Sequence, residues 1–87
     1  MKIHHRHTGA VIYEGEAALM AELVVEAVRL RADLSYAYLA GANLAGANLT
    51  GADLAGADLR YADLRYANLS NADFRYANLG EHLKGAQ

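Results

Sequence analysis

Between residues 32 and 81 the chain says one five-residue phrase ten times without a slip: ADLSY, AYLAG, ANLAG, ANLTG, ADLAG, ADLRY, ADLRY, ANLSN, ADFRY, ANLGE. Each unit opens with Ala, carries Asp or Asn second except at Tyr38, and places Leu third except at Phe74. The last two places hold small, polar, Arg or Tyr residues. The following HLKGA puts His82 in the Ala place and Lys84 in the Leu place, so the array ends there. A period of five fits neither the 3.6-residue turn of an α-helix nor an alternating strand that runs on indefinitely. The chain must therefore bend within every unit. If each unit is one short side of a coil, Ala and Leu, two places apart, both point inward while the other three residues face out.

This unbroken run of A(D/N)LXX units resembles the pentapeptide repeat family over residues 32–81. The resemblance implies a β-solenoid, specifically a right-handed quadrilateral β-helix with four units, twenty residues, per coil. The array then spans about two and a half to three coils at the ordinary strand spacing, roughly 12 Å in height. Residues twenty apart stack. Leu34, Leu54 and Phe74 form one inner ladder, Leu39, Leu59 and Leu79 a second, Leu44 with Leu64 a third, and Leu49 with Leu69 the fourth. Such a short solenoid has two open ends with unpaired backbone, and solenoids usually cover them.

The rest of the chain is read as supplying the covers. Residues 1–31 are assigned to an N-terminal hairpin and capping helix, and residues 32–87 to the β-helix with a short C-terminal tail, together one folding unit. In EAALMAELVVEAVRLR, residues 16–31, Glu22, Glu26 and Arg29 share one helical face while Leu19, Met20, Leu23, Val24, Val28 and Leu30 spread over the other. Glu16 near the start and Arg29 and Arg31 near the end suit the helix dipole. Ahead of this helix, Thr8-Gly9 is a turn signal between two strand-prone pieces. At the far end EHLKGAQ is too short for a helical cap. The open end around Leu64, Leu69, Phe74, Leu79 and Leu83 is therefore expected to pair with a second copy, as family members do through their C-terminal ends. Two-fold pairing would close the assembly.

Composition removes several classes of function. The net charge of −2, from 8 Lys and Arg against 10 Asp and Glu, does not describe a basic nucleic-acid surface. With no cysteine, neither disulfides nor thiolate metal sites are available, and the cytoplasm is the expected compartment. MKIHHRHTG lacks a signal-peptide apolar run, and no membrane span is expected. No cofactor is expected. His4, His5 and His7 offer at most two ligands to one side of a strand, too few for a metal site. There is no Ser-His-Asp pattern, phosphate loop or HExxH, and a convex solenoid offers no cleft from which to exclude water. An enzyme is not expected.

The outward columns hold the remaining candidates. Asp33, Asp53 and Asp73 stack as a carboxylate row, read as a solvated face or as backbone-bonded side chains. Asn48 and Asn68 are read as an amide ladder. The pairs Arg60-Tyr61, Arg65-Tyr66 and Arg75-Tyr76, beside Asp58, Asp63 and Asp73, use the residue types enriched at interface centres. They are the expected surface for an unidentified protein partner. Alternatively the rings shield the coil's sides and the arginines offset the neighbouring aspartates. The resemblance also raises a second function, imitation of duplex DNA to occupy a type II topoisomerase such as gyrase. Residues 32–81 hold six acids against three arginines, whereas about 12 Å of duplex carries roughly seven negative charges. An interaction module is thus the first reading and DNA mimicry the alternative.

Overall fold

In a computed structural model, residues 1–80 are described; Leu83 and the rest of the tail lie outside them. The repeats coil as their period requires. Parallel bridges join Asp33 to Asp53, Tyr38 to Asp58, Asn43 to Asp63, Asn48 to Asn68, Asp53 to Asp73 and Asp58 to Asn78. Every partner is twenty residues away, so four units complete one coil. The bridges are knit by backbone bonds such as Leu34 N–H to Asp53 C=O (3.1 Å), Gly41 N–H to Arg60 C=O (2.8 Å) and Asp58 N–H to Ala37 C=O (2.9 Å).

Each side is short because a turn closes every unit. The carbonyl of the third residue accepts the N–H of the next unit's Ala, as Leu44 does from Ala47 at 3.0 Å. The fifth residue takes the left-handed conformation, Gly46 at φ 73° and Tyr66 at φ 65°. The second residue braces the turn from outside. Its side-chain oxygen accepts the N–H two residues on, as Asn43 Oδ1 does from Ala45 (3.2 Å) and Asn68 Oδ1 from Ser70 (3.1 Å). This local bond explains why Asp and Asn both serve in that place. It also corrects the amide ladder: Asn48 Oδ1 takes the N–H of Thr50 at 3.1 Å and its hydroxyl at 2.6 Å, within its own unit.

The inside follows the phrase. Leu34, Leu39, Leu44, Leu49, Leu54, Leu59 and Leu64 are buried, with Ala37, Ala47, Ala52, Ala57 and Ala62 beside them. Leu69 and Phe74 pack against this core while still partly exposed, and Leu79 is exposed.

Ahead of the coils, β1 (Lys2–His4) and β2 (Val11–Glu14) form an antiparallel pair. Its register slips between Ile3 and His4, pairing Ile3 with Tyr13 but His4 with Val11. The hairpin is fastened to the first coil by Arg6 N–H to Tyr36 C=O and Tyr38 N–H to His4 C=O, both 2.7 Å. Helix α1 (Met20–Arg29) is shorter than residues 16–31. Leu19 is still extended at φ −118°, ψ 143° and makes no side-chain cap, so Glu16 lies ahead of the helix and Glu22 is the first-turn acid. Leu19 and Leu30 sit at the two caps and are exposed, which removes them from the apolar face. That face is Leu23, Val24 and Ala27, buried in the same cluster as Ile3 and the solenoid leucines. The helix stops by bonding Arg31 N–H to Val28 C=O (3.0 Å) and Ala32 N–H to Ala27 C=O (2.9 Å), with Arg31 left-handed at φ 60°. This is the two-bond C-terminal cap, here carrying Arg in the place glycine usually takes. No helix among the described residues is long and apolar enough to cross a membrane.

Candidate functional site

The three Asp-X-Arg-Tyr units concentrate charged and aromatic chemistry on the second half of the array. In each, the carboxylate does two jobs. Asp58 Oδ1 accepts the Arg60 N–H at 3.2 Å, and the same carboxylate takes the Arg60 guanidinium through Nε (2.9 Å) and Nη2 (2.8 Å). Asp63 holds Arg65 at 2.9 and 2.7 Å, and Asp73 holds Arg75 through the same two nitrogens at 3.0 and 2.8 Å. The second and fourth residues of a side both face outward, which lets the planar guanidinium meet the carboxylate edge to edge. Hydrogen bonding by Arg60 holds the Asp58 carboxyl below the usual carboxylate range although burial opposes this, and Arg75 does the same for Asp73. Asp58 is the most enclosed of the three, only 2% exposed. The arginines thus offset the aspartates as the composition suggested, and they are also fixed in direction.

The tyrosines divide into two kinds. Tyr36 lies across Gly56, where an added Cβ would stand 2.6 Å from the ring, and so shields the coil. Tyr66 and Tyr76 are 94% and 92% exposed and shield nothing. Tyr61 is exposed to a lesser degree. These rings stand at corners with φ between 62° and 66°, where a side chain costs on the order of 1 kcal/mol that glycine avoids. The corner conformation is the signal that sequence reasoning missed: a non-glycine in the fifth place is held against its backbone preference.

The end of the array is less open than its sequence suggests. Leu64 is buried within the chain, which removes it from the proposed contact floor and leaves Leu69, Phe74 and Leu79. The backbone N–H groups of Leu64, Leu69 and Phe74 have no acceptor among the described residues, whereas Leu44, Leu49 and Leu54 each donate to the next coil.

The other candidates resolve into local bonding. Asp33 Oδ1 takes the Ser35 N–H (2.9 Å) and hydroxyl, and those bonds hold its carboxyl below the usual range. Asp53 takes the Ala55 N–H at 3.3 Å. The histidines diverge: His4 Nδ1 meets the Gly9 carbonyl, while His5 Nδ1 accepts two backbone N–H groups. No group of three or more potential metal ligands is assembled among the described residues.

Comparison with known proteins agrees with this geometry. A family model described as pentapeptide repeats matches residues 31–65 and 52–81, with eight copies of the repeat. Neither the comparison with curated proteins nor that with solved structures gives a match. The match spans more than half of the chain and coincides with the coils bonded at twenty-residue spacing, so the chain belongs to the pentapeptide repeat family.

Proposed function

We propose that this chain is a non-enzymatic interaction module, a right-handed quadrilateral β-helix whose first coil is capped by α1 and the hairpin and whose last coil meets partners. The observation that carries this reading is the last coil itself. Its sides carry Tyr66 and Tyr76 almost wholly exposed, next to arginines each paired with an aspartate. Rigid aromatic rings and oriented guanidinium groups contribute contact area at small entropic cost, which suits a protein partner. The N–H groups of Leu69 and Phe74, which have no acceptor among the described residues, and the exposed Leu79 favour a second copy at the end, giving a two-fold dimer. Duplex imitation is the weaker reading, because Asp58, Asp63 and Asp73 each have an arginine bound to them.

Sedimentation of the full chain over a concentration series tests the pairing. The wild type should run as a dimer, and Phe74→Glu as a monomer with unchanged circular dichroism. A wild type that stays monomeric throughout overturns end-to-end pairing.

A further inference from the structure

The hairpin is held to the coils by Ile3, buried among the solenoid leucines, by Arg6 Nη1 donating to the Gly56 carbonyl at 3.1 Å, and by the backbone of the turn that follows β1. His5 bridges Ala37 in antiparallel fashion, between the Arg6-to-Tyr36 and Tyr38-to-His4 backbone bonds. The His5 ring lies stacked on Tyr36, with centroids 5.5 Å apart and planes inclined by 19°. The ring also holds the turn. Its Nδ1 accepts the N–H of His7 at 3.1 Å and that of Thr8 at 3.2 Å. Both bonds need the lone pair on Nδ1, which only an imidazole unprotonated at that nitrogen possesses.

We propose that His5 is a proton-operated latch, whose protonation at Nδ1 releases the turn after β1 from the first coil. A proton there turns the acceptor into a donor and leaves two N–H groups facing it. The surroundings do not offset the new charge. On its own segment His5 has His4, Arg6 and His7, with the His7 ring centroid 5.8 Å away. The coil presents Tyr36 and Tyr38, and the nearby carboxylate of Asp58 is bound to Arg60 and already feels Arg6. On β2 the charged residue is Glu14, which pairs with Lys2 at the far end of the hairpin. Among the described residues no carboxylate lies within ion-pair distance of any imidazole. Acid therefore favours the released form. Release bares the Tyr38 N–H and the Tyr36 carbonyl, a short free strand edge on the first coil.

Amide hydrogen exchange on the full chain tests this, with rates corrected for their intrinsic pH dependence. Between about pH 7.5 and about pH 5, the interval in which imidazoles titrate, protection at Arg6 and Tyr38 should fall about tenfold or more while that at Leu54 and Leu59 holds. In His5→Asn, Oδ1 stands where Nδ1 does and accepts the same N–H groups at either pH, as Asn48 does from Thr50. That variant should keep its protection in acid, whereas His7→Asn should lose it as the wild type does. In the wild type, imidazole resonances should show release following the protonation of His5 and not of His4 or His7. Protection retained in acid by the wild type, or release that follows another histidine, overturns the proposal.

Discussion

The first coil and the last share one interior and differ at most of their corners. Residues 32–51 have glycine at the corners Gly41, Gly46 and Gly51, where an added Cβ would meet nothing within 4 Å. Residues 61–80 have Tyr61, Tyr66 and Asn71 in the corresponding places, on the same left-handed backbone, while Tyr76 stands in the column of Tyr36. Leu34, Leu39, Leu44 and Leu49 are buried, whereas Leu69 and Phe74 are half-buried and Leu79 is exposed. The contrast separates two demands on the same phrase. Ala and Leu close the coil wherever they occur, and the fourth and fifth residues are free to carry an interface without altering the fold. The last coil accepts a less favourable backbone and a less buried core, in keeping with the contact surface proposed for it.

The largest test of this contrast lies inside. Leu49 and Leu69 belong to one ladder, twenty residues apart, yet only Leu49 is fully buried. Leu49→Ala should cost about 2–5 kcal/mol in urea unfolding, and Leu69→Ala less than half as much. Equal losses would mean that the last coil is as well packed as the first. Next comes the ion pair at different depths. Arg60→Met leaves the enclosed Asp58 carboxylate without its guanidinium, while Arg75→Met leaves a carboxylate that water can reach. The melting temperature should fall clearly in the first variant and scarcely in the second.

Exchanging corners sharpens the comparison further. Gly46→Tyr makes a first-coil corner like its stacked neighbour, and Tyr66→Gly does the reverse. The first should cost on the order of 1 kcal/mol and the second should be neutral or slightly stabilising, since Tyr66 touches so little of the chain. A marked loss in Tyr66→Gly would show that the ring supports the fold after all. The smallest effect is in acid. Asp58 and Asp73 are held below their ordinary range by Arg60 and Arg75, and Asp33 by Ser35. A lowered carboxylate contributes stability in full above its unfolded value near pH 4, and that contribution is lost as pH falls through the folded value. Stability should therefore decline below about pH 4, and Asp58→Asn should flatten part of that decline.

Much of the solenoid could be read from the phrase, because its contacts recur at a fixed spacing and the spacing is printed in the sequence. The ladder from Leu34 through Leu54 to Phe74 follows from counting. The bracing of each turn by its second residue was less legible, since an outward Asp or Asn also suits solvent or a stacked neighbour. Helix α1 begins later than its composition suggests because Leu19 stays extended. The docking of His5 on Tyr36 left no trace in the sequence at all. It joins segments outside any repeat, and nothing local in HHRH indicates which distant ring it will meet. At the candidate surface the residue types were visible, but the difference between Tyr36 over Gly56 and the bare Tyr66 and Tyr76 depends on what lies one coil away.

Four units per coil also give the chain a modular arithmetic. Removing one pentapeptide from the middle would leave the hydrogen-bonding phrase intact but advance every later residue by a quarter of a coil, carrying Arg75 and Tyr76 to a different side. Removing or inserting twenty residues would return each later side chain to its former bearing and change only the height. Lineages of such a chain can therefore lengthen in whole coils and keep their outward address, or shift by one unit and acquire a new one. The same leucines would line the axis in either case.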